Sequence, residues 1–162
     1  MKKRKRHPRQ KRYTLLDELA ASPTEPLPQH WRTNQLTKMY AGLNNLEQAD
    51  NPTPDDWCLV SDAVNLVETL VLEMKVCEDD SGLLMDAITA LAMAGRRSKE
   101  GKTMRLDGAG IVAVRSILRD YSELIDVLPA RTMVRCHRLT ERRLHEILDG
   151  KKRPHDVEVV DL

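Results

Sequence analysis

Apolar residues recur at helical steps along most of this chain. From Thr33 to Ala49, the positions Leu36, Met39, Tyr40, Leu43 and Leu46 fall three and four apart, which places them on one face of a helix. Asp50-Asn51-Pro52 ends that pattern. Thr53-Pro54-Asp55-Asp56 then supplies a capping hydroxyl, a proline at the first helical position and two acids facing the helix dipole, so a second helix starts there. Its apolar positions Trp57, Val60, Val64, Val67, Leu70, Val71 and Met74 cover much of its surface and carry it to about Cys77 as the central element. Glu78-Asp79-Asp80-Ser81 reads as a break or a strong kink.

A third helix is predicted from Ser81 to Ala94 on Leu84, Ile88, Leu91 and Ala92, with Gly95 as its cap or the helix running on to Lys99. The polar run GRRSKEGKTMRLDG, rich in turn residues, predicts an exposed connection. Asp107 caps a fourth helix through Leu128, with Ile111, Val114, Leu118, Tyr121 and Ile125 inward. Pro129 interrupts, and a last helix spans Ala130 to Leu148 before Asp149-Gly150. Upstream, Tyr13 to Ala21 forms a short helix capped by Thr14, with Leu15, Leu16 and Leu19 on one face, and SPTEPLP at 22–28 reads as an extended linker. The expected fold is all-α: an antiparallel bundle of four to five helices over residues 30–150. A mostly disordered basic arm and proline-rich linker (1–29) precede it, and a mobile tail (151–162) follows.

Composition agrees with this. The 162 residues are 41% hydrophobic and 31% charged, enough for one domain with its own core. Aromatics are only 3%, with no Phe, so the core rests on aliphatic residues and Met. No stretch is long and apolar enough for a membrane span, and the basic start is not followed by the apolar run of a secretory signal. Three widely spaced cysteines read as free thiols, so a cytoplasmic protein is expected.

The net charge of +1 hides a strong segregation. Residues 1–12 carry eight Lys/Arg and no acid: Lys2, Lys3, Arg4, Lys5, Arg6, Arg9, Lys11 and Arg12. Residues 39–95 hold eleven acids and one base, Lys75, and residues 96–105 swing back to +4. A cationic run of this kind binds phosphate backbones by releasing counterions. Acidic protein surfaces and anionic lipid are alternatives, as is a merely solubilising tail. Arg131, Arg135, Arg138 and Arg142 follow steps of four, three and four, which aligns four guanidinium groups on one face of the last helix. That face suits nucleic acid or an acidic partner, or is simply solvated and locally paired, as by Glu146 four residues after Arg142.

The acids Asp55, Asp56, Asp62, Glu68, Glu73, Glu78, Asp79 and Asp80 could imitate a phosphate backbone and dock on a basic partner, with Arg96 and Arg97 at the neighbouring basic turn. The alternative is a solvated helix face. Catalytic and metal motifs are not found. Cys136 and His137 are adjacent and diverge on a helix, and His137 with Glu141 reads as a surface pair. Cys58 and Cys77 lie roughly 28 Å apart at helical rise, too far to share a metal unless the helix breaks. No cofactor is expected.

The stretches KKRKRHPRQ, LTKMYAGLNNLEQADNPTPDDWCLVSDAVNLVETL and LLMDAITALAMAGRRSKEGKTMRLDGAGIVAVRSILRDYSELI together resemble small helical proteins carried by proteobacterial phages, prophages and plasmids. The resemblance lies in lengths and residue classes, so no functional residue is carried over. It implies an accessory role in a mobile element, such as regulation, replication support or blocking a host defence. The leading expectation is a non-enzymatic regulator that binds nucleic acid through the arm and the arginine face. The alternative is a protein-directed inhibitor of a host machine acting through the acidic middle or an apolar face. A homodimer through the apolar surface of helix 53–77 is a further possibility.

Overall fold

The computed structural model describes residues 12–150. Among them the chain is all-helical, with no strand: α1 (Leu15–Ala20), α2 (Gln29–Gln48), α3 (Pro54–Glu68), a π-helical turn (Thr69–Glu73), α4 (Leu84–Lys99), α5 (Gly108–Val127) and α6 (Ala130–Leu148). The expected disorder of residues 1–11 and mobility of 151–162 lie outside the described residues.

Local signals set several boundaries. Thr14 and Thr53 each form a full capping box, with Asp17 and Asp56 returning to the cap backbone, and Pro54 occupies the first turn of α3. Asp107 caps α5 by accepting from the Gly110 amide at 2.6 Å. α4 has no cap of its own at Leu83, and Asp79 substitutes by accepting from the Leu84 amide at 3.0 Å.

α3 is the central element. Val60, Val64 and Val67, with Leu70 of the π-helical turn, are buried against residues of α2, α4, α5 and α6. Much of the apolar surface expected to invite a second copy packs on the chain's own helices, while Leu72 and Val76 stay exposed. α2 and α3 meet closely at Gly42, where a Cβ would stand 2.9 Å from the Asp56 carbonyl oxygen. We expect Gly42→Ala to cost about 1–3 kcal/mol in a urea titration, because backbone rather than a movable side chain opposes the methyl group.

Three expectations need correction. α3 does not run to Cys77: its ladder widens at Thr69–Glu73, and Lys75 takes a left-handed φ of 53° that ends it. α2 begins at Gln29 rather than Thr33, because Pro28 occupies the cap position, where no amide is needed. The connection after α4 is not wholly exposed. Met104 and Leu106 are buried in the core, and the Leu106 amide donates to the Leu46 carbonyl at 2.9 Å. α4 itself takes the longer of its two expected ends, at Lys99.

Residues 12–28, expected to belong to the arm and linker, form a strap laid against α6. α6 starts after Pro129 without a side-chain cap, so its first amides need partners. Strap carbonyls supply them: Ala130 donates to Glu25 at 2.8 Å and Arg131 to Ser22 at 2.9 Å.

Candidate functional site

α6 carries two neighbouring stripes. Arg131, Arg135, Arg138 and Arg142 form one; Ala130, Met133, His137, Thr140 and Leu144 form the other, at steps of three and four.

The arginine stripe is largely engaged inside the fold. Arg131 donates to the carbonyls of Leu19 at 3.0 Å and Ala21 at 3.2 Å, which satisfies the C-terminal end of α1. Arg138 pairs with Glu18 of α1. Arg142 pairs with Glu73 at 2.9 Å and stands 4.0 Å from Glu146. Arg143, beside the stripe, pairs with Glu68 at 2.8 Å and donates to the Asn65 carbonyl at 3.2 Å. Arg135 stays exposed.

The acids of the middle divide in the same way. Glu68 and Glu73 meet α6. Asp56 accepts from Thr53 and from Asn45; burial opposes its ionisation, but these bonds hold its carboxyl below the usual range. Asp79 caps α4, while Asp55, Glu78 and Asp80 are exposed. Asp120 of α5 lies close enough to feel Asp79 and Asp80: burial first, then Glu123, Asp79 and Asp80 against the opposing Arg119, raise its carboxyl above the usual range. Arg97 folds back onto the carbonyls of Thr103 (3.3 Å) and Arg105 (2.5 Å), and Arg96 is exposed at the end of α4. Lys2 to Lys11 lie outside the described residues. Arg12, the first described one, forms an ion pair with Glu141 at 2.6 Å and a hydrogen bond with His145 at 3.1 Å.

The second stripe borders a cavity of about 270 Å³ between α2, α3, α5, α6 and the start of the strap. Met39, Leu59, Leu66 and Leu144 give it apolar walls; Arg12, Asp62, Glu141 and His145 are among its polar ones. The His137 ring borders it and touches Tyr13 (centroids 5.3 Å apart) and Trp31 (6.3 Å, edge-on). As a residue His137 keeps some exposure, but its Nε2 is sealed from solvent and has no hydrogen-bond partner. Burial pushes its imidazole down to about 4, so the ring is neutral at physiological pH. An unpartnered buried nitrogen of this kind costs about 1–3 kcal/mol.

The surface pair expected between His137 and Glu141 is thus replaced: Glu141 binds Arg12, and the histidine turns inward. Sequence reading missed this site. Its one available signal was the second stripe of α6, where His137 takes a place otherwise filled by core residues. Burial pushes the Cys136 thiol up to about 12, away from nucleophilic behaviour. Among the described residues no cluster of His, Cys, Asp and Glu could hold a metal ion, and no helix is long and apolar enough to cross a membrane. Comparison of the chain with protein-family models, curated protein sequences and solved structures returns no match.

Proposed function

We propose that this helical bundle is a non-enzymatic accessory protein of the phage or mobile-element kind. It associates with nucleic acid in a regulatory role, with the N-terminal cationic segment as its main contact. One observation carries the reading. Arg12 is fixed to Glu141 and His145, in the last two turns of α6, so the seven cationic residues of 1–11 are tethered at that end. Lys151, Lys152 and Arg153 follow α6 at the same end. Ten cationic side chains are therefore attached to one end of one helix, a concentration suited to a phosphate backbone. The arginine stripe contributes less than its spacing suggests, since Arg131, Arg138 and Arg142 already have partners.

Anisotropy titrations on duplex DNA and on RNA across a salt series test this. The full chain is expected to bind at low ionic strength. Removing residues 1–11 should weaken duplex binding at least about tenfold and flatten the salt slope by about 6, at 0.9 per phosphate neutralised. Arg135→Ala should change little. Absence of binding at low salt, or binding unchanged by the deletion, rejects the reading.

The acidity shared by Asp79, Asp80, Asp120 and Glu123 supports a second reading, an inhibitor of a host machine that docks on a basic protein surface. A stoichiometric protein partner captured equally with and without nuclease favours it over the first.

A further inference from the structure

The cavity beside α6 has walls of two kinds. Met39, Leu59, Leu66 and Leu144 are aliphatic; Arg12 and His145, with the carboxylates of Asp62 and Glu141, are polar. At about 270 Å³ it is many times what one water needs, about 10–15 Å³, and has room for side chains. Arg12 and His145 keep about half of their side chains exposed beside it. An occupant that matches this wall brings aliphatic groups and charge together, as an amphipathic peptide does.

Two stretches of the chain outside the described residues join the fold at this cavity. Residues 1–11 join it through Arg12, and residues 151–162 follow Leu148, which lines its rim at the end of α6. Residues 1–11 bring seven cations, no acid and no aliphatic run. Residues 151–162, KKRPHDVEVVDL, bring Asp156, Glu158 and Asp161 interleaved with Val157, Val159, Val160 and Leu162. In extended chain Val157 and Val159 fall on one side, Asp156 and Glu158 on the other. Gly150 takes a left-handed φ of 72°, which ends the course of α6 two residues past the rim. From there to Val157 an extended chain reaches up to about 23 Å, at roughly 3.3 Å per residue.

We propose that residues 156–162 dock back into this cavity. Val157 and Val159 lie against Met39, Leu66 and Leu144, and Asp156 and Glu158 turn toward Arg12 and His145. The tail thus covers the aliphatic wall and brings counter-charge to its cationic side. Docking is separate from the nucleic-acid reading, which draws on Lys151, Lys152 and Arg153 rather than on residues after Pro154. Failure of either leaves the other standing.

Methyl NMR of the full chain is the test. Nuclear Overhauser contacts are expected from Val157 and Val159 to Met39, Leu66 and Leu144. In a mixture of isotope-labelled and unlabelled copies, none is expected between copies. Val157→Asp together with Val159→Asp should shift the wall signals of Met39, Leu66 and Leu144. The same pair should leave Ile88 of α4, which does not line the cavity, in place. Both positions follow α6, so the helices and their core keep their own residues. The proposal is overturned if the contacts are missing from the full chain or arise only between copies. It is equally overturned if the paired substitution leaves the wall signals unchanged.

Discussion

Replacing Glu68 by Leu is expected to destabilise the protein by about 3 kcal/mol, because it strands the Arg143 guanidinium between α3 and α6. The two side chains are each only 12% exposed and meet at 2.8 Å. Arg143 would keep its bond to the Asn65 carbonyl but lose its counter-charge. Arg143→Met should cost a similar amount by leaving the carboxylate without its arginine. The double variant should recover much of the loss, since an apolar pair of similar volume avoids desolvating two charges. Urea denaturation of the four proteins gives the coupling directly: with the single variants at about 3 kcal/mol each and the double near about 1 kcal/mol, a coupling of about 5 kcal/mol is expected. A coupling below about 0.5 kcal/mol would show that solvent screens the pair and that α6 is held by its apolar contacts alone.

This pair also shows what could be read along the chain and what could not. Helix starts at Thr14, Thr53 and Asp107 were legible because capping depends on residues three positions apart. Both ends of α6 were legible because Pro129 and Gly150 are local signals. The widening at Thr69–Glu73 was not, since an apolar helix looks the same in sequence whether its ladder closes over four residues or five. Met104 and Leu106 escaped notice because an isolated apolar residue in a polar run has no periodicity to betray its burial.

The charge segregation was visible, but its meaning changed on folding. Arg138, Arg142 and Arg143 find Glu18, Glu73 and Glu68, all at least 69 residues away, whereas sequence spacing revealed only Glu146. Part of the apparent surplus of opposite charge is therefore internal complementarity between α6 and the rest of the fold. Arg115 shows the same principle, holding both oxygens of Glu47 at 2.6 Å across α5 and α2. The cavity was least legible of all, since its wall joins residues from the strap, α2, α3, α5 and α6.

The stability of the protein should fall by about 3 kcal/mol between pH 7.5 and pH 4 through His137 alone. The imidazole titrates at about 4 in the folded chain, against 6.5 as a free side chain. Between those values the unfolded chain binds a proton that the folded chain refuses, so acid favours unfolding. The full stability is present above pH 6.5, is lost progressively below it, and the loss levels off once pH drops past 4. The groups around the ring are Tyr13 and Trp31 in contact, with Arg12, Asp62, Glu141 and His145 on the shared cavity wall. Carboxylates elsewhere, Asp56 among them, add their own acid dependence. The measurement is therefore the difference between wild type and His137→Phe in urea titrations at several pH values, with His137→Leu as a second variant. Above pH 7 the Phe variant should match or exceed wild type, because it removes a buried nitrogen without a partner. Below pH 6 its advantage should widen by about 3 kcal/mol. Parallel pH profiles for the two proteins would mean that the ring is hydrated and titrates normally. Stability alone thus favours an apolar ring at this position in neutral and acidic solution alike, because burial of the unpartnered Nε2 and its refusal of a proton both count against the imidazole.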